Sequence, residues 1–148
     1  MLRTAEQLRL QEKAFVPAAQ DKGAVRGWIA AAHEKRCDAD VESVSTGTRF
    51  EASYDAIFSL ALVVVNAIGM RHRSVDGHHA YVLEAACAAI GAGDAMFDRI
   101  DAVREIRNQK YAGLQRTPAD LLDARAALDD FASVVATWLQ ANHAALLR

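Results

Sequence analysis

The segment from Arg49 to Ile68, RFEASYDAIFSLALVVVNAI, decides the fold of this chain. Apolar side chains recur along it at the spacing of one helical face: Phe50, Tyr54, Ile57, Ala61, Val64 and Ile68. Further apolar residues, including Phe58 and Leu62, cover the other faces. A helix that is apolar all round is usually buried on all sides. We therefore expect it in the middle of a helical bundle or at a subunit interface.

Patterns on either side of this helix predict its neighbours. We expect an N-terminal helix over about 4–19 and a second from about Lys22 to Val44. A fourth runs from about His78 to Ile90, and a fifth ends near Gly113. The last begins at the N-cap Thr117 and continues for roughly thirty residues. With 52% apolar residues and two prolines, residues 1–148 are predicted to form one all-α domain, an up-and-down antiparallel bundle of five or six helices.

Composition and charge limit the classes of function. The formal net charge of −2 supplies no global positive field, so contact with nucleic acid requires a local basic patch. Two cysteines far apart in the sequence indicate thiols that stay reduced rather than a disulfide scaffold. The N-terminus lacks the apolar run of a signal peptide, and the apolar run from Leu60 to Ile68 is short for a bilayer span. We expect a cytoplasmic protein without a membrane segment.

The candidate site lies on the fifth helix, where Arg104, Arg107, Asn108 and Tyr111 stand at positions i, i+3, i+4 and i+7. This spacing places them on one helical face. Two adjacent guanidinium groups need an anionic partner, because unpaired buried charge is costly. The partner is either an external phosphate or a carboxylate of the chain itself. The spacing alone does not decide between these two partners.

Several motifs occur in an order that resembles the HEPN family of helical nucleotide-binding domains. They are Arg49-Phe50 with Tyr54-Asp55-Ala56, Gly69-Met70-Arg71, Gly77-His78-His79, and Arg104-Glu105-Ile106-Arg107-Asn108-Gln109-Lys110-Tyr111 before a long last helix. The similarity covers about three quarters of the chain, with a HEPN-like core at about 22–147. It implies a helical bundle, a homodimer, and a nucleotide or RNA ligand. It also implies a nucleotidyltransferase partner protein, as in HEPN toxin–antitoxin pairs.

The resemblance departs from the ribonuclease members at one critical position. Those members carry an arginine followed, after four to six residues, by a histidine, and they cleave RNA without a metal. Neither Arg104 nor Arg107 is followed by a histidine at that spacing. Tyr111 stands at one eligible position, but a phenol with a pKa near 10 is a poor base. We therefore predict no catalytic residue, and we retain the arginines and Asn108 as phosphate-facing residues.

The adjacent histidines His78 and His79 are candidates for ligand contact or for hydrogen bonding at the end of the bundle. Neighbouring helical residues point about 100° apart, so the two cannot chelate a metal as an i, i+4 pair would. No metal site and no cofactor are predicted. Asn66, on the most apolar helix, needs hydrogen-bond partners, and we expect it to set helix register or a dimer contact.

Three hypotheses follow for function. The first is a module that binds a nucleotide, an RNA or a partner protein. The second is a metal-independent ribonuclease toxin that tolerates the missing histidine. The third is a structural protein whose arginines pair with its own acids. We also expect a homodimer formed through the third helix and its neighbours, because closed two-fold dimers are the commonest oligomers.

Overall fold

The fold was obtained as a computed structural model that describes all residues from Met1 to Arg148. Six α-helices carry the chain: α1 (Ala5–Glu12), α2 (Lys22–Asp38), α3 (Thr46–Ala67), α4 (His78–Ile90), α5 (Gly93–Asn108) and α6 (Pro118–Asn142). Two short strands, β1 (Phe15–Pro17) and β2 (Met70–His72), pair antiparallel. Short 3-10 turns follow α5 at Gln109–Ala112 and α6 at Ala144–Leu147. The prediction of a mostly helical bundle is confirmed.

Helix α3 is the centre of the bundle and packs against α2, α4, α5 and α6. Side chains on every face of it are buried, among them Phe50, Tyr54, Ile57 and Val64. Its length and mean hydropathy of 1.3 would suit a membrane span, but 67% of the apolar window is buried inside the chain. The helix is therefore the core of the bundle. Its apolar surface is largely used within one subunit, which removes the main reason for placing a dimer contact on α3.

Local capping rules predict the helix starts well. Thr4 and Gln7 form a reciprocal capping box at α1. Thr117 and Asp120 form another at α6, with Pro118 at the first helical position. Each box satisfies two backbone N–H groups that the helix itself leaves free. These starts depend only on residues within one turn, so the sequence alone is sufficient to locate them.

The predicted N-terminal helix over 4–19 is wrong beyond Glu12. Lys13 adopts a left-handed conformation with φ 54°, and the chain then extends into β1. Phe15 is 1% exposed, and its strand pairs with β2 so that Phe15 lies opposite His72. A distant partner supplies the backbone hydrogen bonds of β1, and no local pattern reveals it.

Two further helix ends differ from expectation. Helix α2 ends at Asp38 rather than at Val44, and Val41 and Val44 are exposed in the turns that follow. Helix α6 has 25 residues and ends at Asn142, short of the predicted thirty. In both places the apolar periodicity of the sequence continues beyond the residue at which the helix ends. Helix ends are set by tertiary packing as much as by pattern.

Candidate functional site

The two arginines of α5 already hold carboxylates of their own chain. Arg104 Nε donates to Asp101 Oδ1 at 2.7 Å. Arg107 Nε donates to Glu51 Oε2 at 3.0 Å, and Lys110 Nζ donates to the other oxygen of Glu51 at 2.6 Å. The expectation that internal acids compete for these arginines is met. The pair with Glu51 ties Arg107 to α3, whereas the pair of Arg104 with Asp101 lies within α5.

Each internal acid engages only one edge of its arginine. A guanidinium has five N–H donors, and in both residues the internal hydrogen bond uses Nε alone. Glu105 lies 3.7 Å from Arg104 Nη2, which is beyond hydrogen-bond distance. The Nη groups of both arginines are therefore left to bind an outside oxygen. Such an oxygen would meet rigidly held donors, which lowers the entropic cost of binding.

An open cleft of about 300 Å³ lies beside these arginines. Seven residues line it: Gly77, His78, His79, Ala80, Arg104, Arg107 and Asn108. Five of the six residues predicted for the site thus meet in one cleft, although they come from two helices. Packing of α4 against α5 brings them together.

Tyr111 does not join the cleft. The α-helical spacing ends at Asn108, and residues Gln109–Ala112 continue as a 3-10 turn. Its ring is 78% exposed, and Lys110 Nζ lies over it, 5.2 Å from the centroid. The prediction that Tyr111 shares the face of the arginines is wrong, because it assumed that the helix continues through i+7.

The N-terminus of α4 faces the same cleft. Gly77 precedes it in a left-handed conformation and offers no side-chain cap. Of the first-turn amides, His78 N–H bonds to Val75 and Tyr81 N–H bonds to Gly77. The N–H groups of His79 and Ala80 have no such partner inside the chain. Free first-turn amides and the positive end of the helix dipole attract anions.

His79 is held in its neutral form by its surroundings. Burial lowers its pKa to about 4, and the neighbouring His78 and Arg107 act in the same direction. Its ring stacks on Phe58 with centroids 4.2 Å apart. Tyr54 Oη lies 2.8 Å from His79 Nδ1, so the phenol donates to the neutral ring and leaves the proton of His79 on Nε2. A histidine with this pKa is a weak base at neutral pH.

The ring of Tyr54 lies beneath Arg107 and contacts His79. The sequence did not predict it as part of the site. Its ring is 1% exposed, and the guanidinium carbon of Arg107 lies 5.1 Å from the ring centroid. Burial raises the pKa of the phenol above its usual value, so Tyr54 remains a neutral donor. The sequence showed Tyr54 only as a member of an apolar stripe. Its position under Arg107 and beside His79 is visible only once α3, α4 and α5 are packed.

His78 also lines the cleft, but its Nδ1 has a partner different from that of His79. Nδ1 of His78 lies 3.1 Å from the carbonyl oxygen of Val75 and donates to it, so Nε2 is the ring nitrogen without a partner in the chain. The ring stacks on His72 at 5.2 Å. No group of three or more His, Cys, Asp and Glu side chains is arranged to hold a metal ion. The cleft therefore offers donors to an anion, together with the neutral imidazole of His79.

Comparisons with models of protein families, with curated proteins and with solved structures find no match for this chain.

Proposed function

We propose that this chain is a HEPN-like module that binds the phosphate of a nucleotide or an RNA in the cleft between α4 and α5. The proposal rests on one observation: two kinds of hydrogen-bond donor line the same cleft. The Nη groups of Arg104 and Arg107 come from α5, and the free amides of His79 and Ala80 come from α4.

The donor arrangement suits phosphate because of its geometry. Arginine and backbone amides are the groups that most often bind phosphate oxygens in proteins. Two arginines from adjacent helical turns, together with a helix N-terminus, can contact different oxygens of one phosphate. Asn108, exposed at the rim of the cleft, adds an amide for the sugar or for a second phosphate.

Binding without catalysis is favoured over hydrolysis. His79 is neutral, weakly basic and bonded to Tyr54 at Nδ1. His79 is therefore a poor acid or base for RNA cleavage.

A metal-independent ribonuclease is the second candidate, and one observation favours it. His78 lies in the same cleft as both arginines, and its Nε2 is free to accept a proton. A histidine from α4 could take the place of the one missing after the arginines. Loss of RNA cleavage in His78→Gln, with folding retained, would support this candidate. Absence of cleavage by the unaltered protein would exclude it.

The proposed setting is cytoplasmic, which agrees with the two unpaired cysteines. Within the HEPN resemblance, the natural partners are a second copy of the chain and a nucleotidyltransferase of a toxin–antitoxin pair. An antiparallel up-and-down order of the helices belongs to the same proposal. Size-exclusion chromatography with light scattering tests the dimer directly.

Ligand-dependent stabilisation tests the binding proposal. Melting temperatures are measured at low salt with AMP, ADP, ATP and a short single-stranded RNA. A ligand present at 100 times its Kd stabilises by about 2.7 kcal/mol, which corresponds to a rise of several degrees for a domain of this size. Added salt should weaken the effect, because phosphate contacts are screened.

Arg104→Gln and Arg107→Gln should abolish this rise, whereas Arg99→Gln should leave it unchanged. Arg99 is a matched control because it lies on α5, pairs with Asp130 at 2.8 Å, and does not line the cleft. If no ligand shifts the unaltered protein, or if Arg99→Gln has the same effect as Arg107→Gln, the arginines are structural ion pairs only.

A further inference from the structure

A second cavity lies away from the arginine cleft, where α2, α3 and β2 meet. Its volume is about 440 Å³, within the range of cavities that bind small molecules. Seven of its twelve lining residues are hydrophobic. Trp28, half-buried, contributes an aromatic wall, and Leu62, Val65 and Met70 contribute aliphatic surface.

Asn66 provides an oriented donor in this cavity. Its side chain is 8% exposed, and its Oδ1 accepts a hydrogen bond from the backbone N–H of Asp21 at 2.9 Å. Because that N–H needs an acceptor, the amide orientation is determined and Nδ2 must lie on the other side. Nδ2 has no partner within the chain, yet it is not sealed from solvent. A buried amide that donates to nothing is unusual, since such groups nearly always have a partner.

Arg71 adds a positive charge at the mouth of the cavity. It is exposed on β2, lines the cavity, and forms no ion pair with any acid of the chain. The carboxylate of Asp21 also lies at the edge, but its Oδ1 caps α2 by accepting from Ala24 N–H at 3.0 Å. Two donors, the amide of Asn66 and the guanidinium of Arg71, thus line the cavity together with the polar side chains of Asp21, His72 and Ser74, and Nδ1 of His72 is buried without a partner.

We propose that this cavity binds a small carboxylic acid with an apolar or aromatic body. The carboxylate accepts from Asn66 Nδ2 and pairs with Arg71, while the body packs on Trp28 and the aliphatic wall. The donors select an anion, and the walls select against a strongly polar molecule. This site is separate from the proposed phosphate cleft and does not depend on it.

The test uses 4-phenylbutyrate as the probe and its neutral amide, 4-phenylbutyramide, as the matched ligand control. In a Trp138→Phe background, Trp28 is the sole tryptophan, so its fluorescence reports on the cavity alone. The acid should produce a saturable change with a Kd of about 0.1–5 mM, as expected for a ligand of this size. The amide should bind at least about fivefold more weakly, because it cannot form the charge-assisted contact.

Asn66→Asp retains an acceptor for the Asp21 amide, removes the Nδ2 donor and adds a negative charge that repels a bound carboxylate. It should weaken binding of the acid by about tenfold or more. Arg71→Gln, an exposed substitution that does not risk the fold, should weaken it by about fivefold. Arg73→Gln is the matched control, since Arg73 is exposed on the same segment and does not line the cavity. Arg107→Gln should also leave binding unchanged, which separates this site from the phosphate cleft.

Three results would overturn the proposal: no saturable signal up to about 20 mM acid, equal affinity for acid and amide, or unchanged affinity in both Asn66→Asp and Arg71→Gln. Circular dichroism of Asn66→Asp establishes whether that variant is folded. If it is not, Arg71→Gln and the amide comparison still decide the outcome.

Discussion

Replacing Tyr54 with phenylalanine removes one hydroxyl group from the base of the proposed phosphate cleft. The phenol is buried and lies 2.8 Å from Nδ1 of His79. The phenylalanine ring fits the same space, so the substitution creates almost no cavity. Nδ1 of His79, however, loses its hydrogen-bond donor while the ring remains packed against α3.

The expected loss of unfolding free energy at pH 7.5 is about 1–2 kcal/mol. Leaving a buried acceptor without a partner costs about 1–3 kcal/mol. The lower part of that range applies because His79 is only partly buried. The change should shift the denaturation midpoint without altering the slope, since the surface exposed on unfolding is unchanged.

The native protein and this variant should share the same dependence of stability on pH. In the native protein the pKa of His79 is about 4, below its ordinary value of 6.5. The unfolded chain therefore binds more protons between these values, and stability is lost as the pH falls from about 6.5 towards 4. A fully shielded group with this shift would contribute about 3 kcal/mol, and partial exposure reduces the figure to about 1–2 kcal/mol. Because burial is the main cause of this shift and Tyr54→Phe leaves His79 in the same place, the variant should lose a similar amount of stability on acidification.

Urea unfolding followed by far-ultraviolet circular dichroism at pH 7.5 and pH 5.0 measures both effects. Tyr81→Phe is the matched control, because the hydroxyl of Tyr81 bonds to Glu12 at the surface. It should change stability by less than about 0.5 kcal/mol. The reasoning is refuted if Tyr54→Phe is as mild as Tyr81→Phe at pH 7.5, or if the native protein loses no stability between pH 7.5 and pH 5.0.

Three further outcomes test other parts of the structure. Thr117→Ala should destabilise the protein by about 1 kcal/mol in urea, because it removes the N-cap of α6; a change near zero would mean that the cap is dispensable. Phe131→Ala should cost about 3–5 kcal/mol in the same assay, since its side chain is fully buried, and a loss below about 1 kcal/mol would contradict the packing of α6 on the core. A thiol reagent should modify exposed Cys37 in the native protein and reach Cys87 only on unfolding, because burial raises the pKa of Cys87 to about 12. Rapid modification of both thiols would show that α4 is not buried as described.

The arginine cleft illustrates how sequence and structure divide the information about a site. Helical spacing placed Arg104, Arg107 and Asn108 on one face, because that relation depends only on the pitch of α5. The same rule failed at Tyr111, where α5 changes to a 3-10 turn. Spacing could not identify Glu51 as the acid that anchors Arg107, because Glu51 is 56 residues away in the chain.

What the sequence determined by itself is the set of short-range features. The helix starts at Thr4 and Thr117, the apolar character of α3 and the helical class all follow from interactions within a few turns. Only tertiary packing decided that residues 15–17 pair with residues 70–72, and that α4 brings His78 and His79 to the arginines. Tertiary packing likewise oriented Asn66, whose Oδ1 is claimed by the backbone of Asp21. The physical reason is the same each time: the partner atoms are distant along the chain, and only burial of the common core around α3 brings them within hydrogen-bond distance.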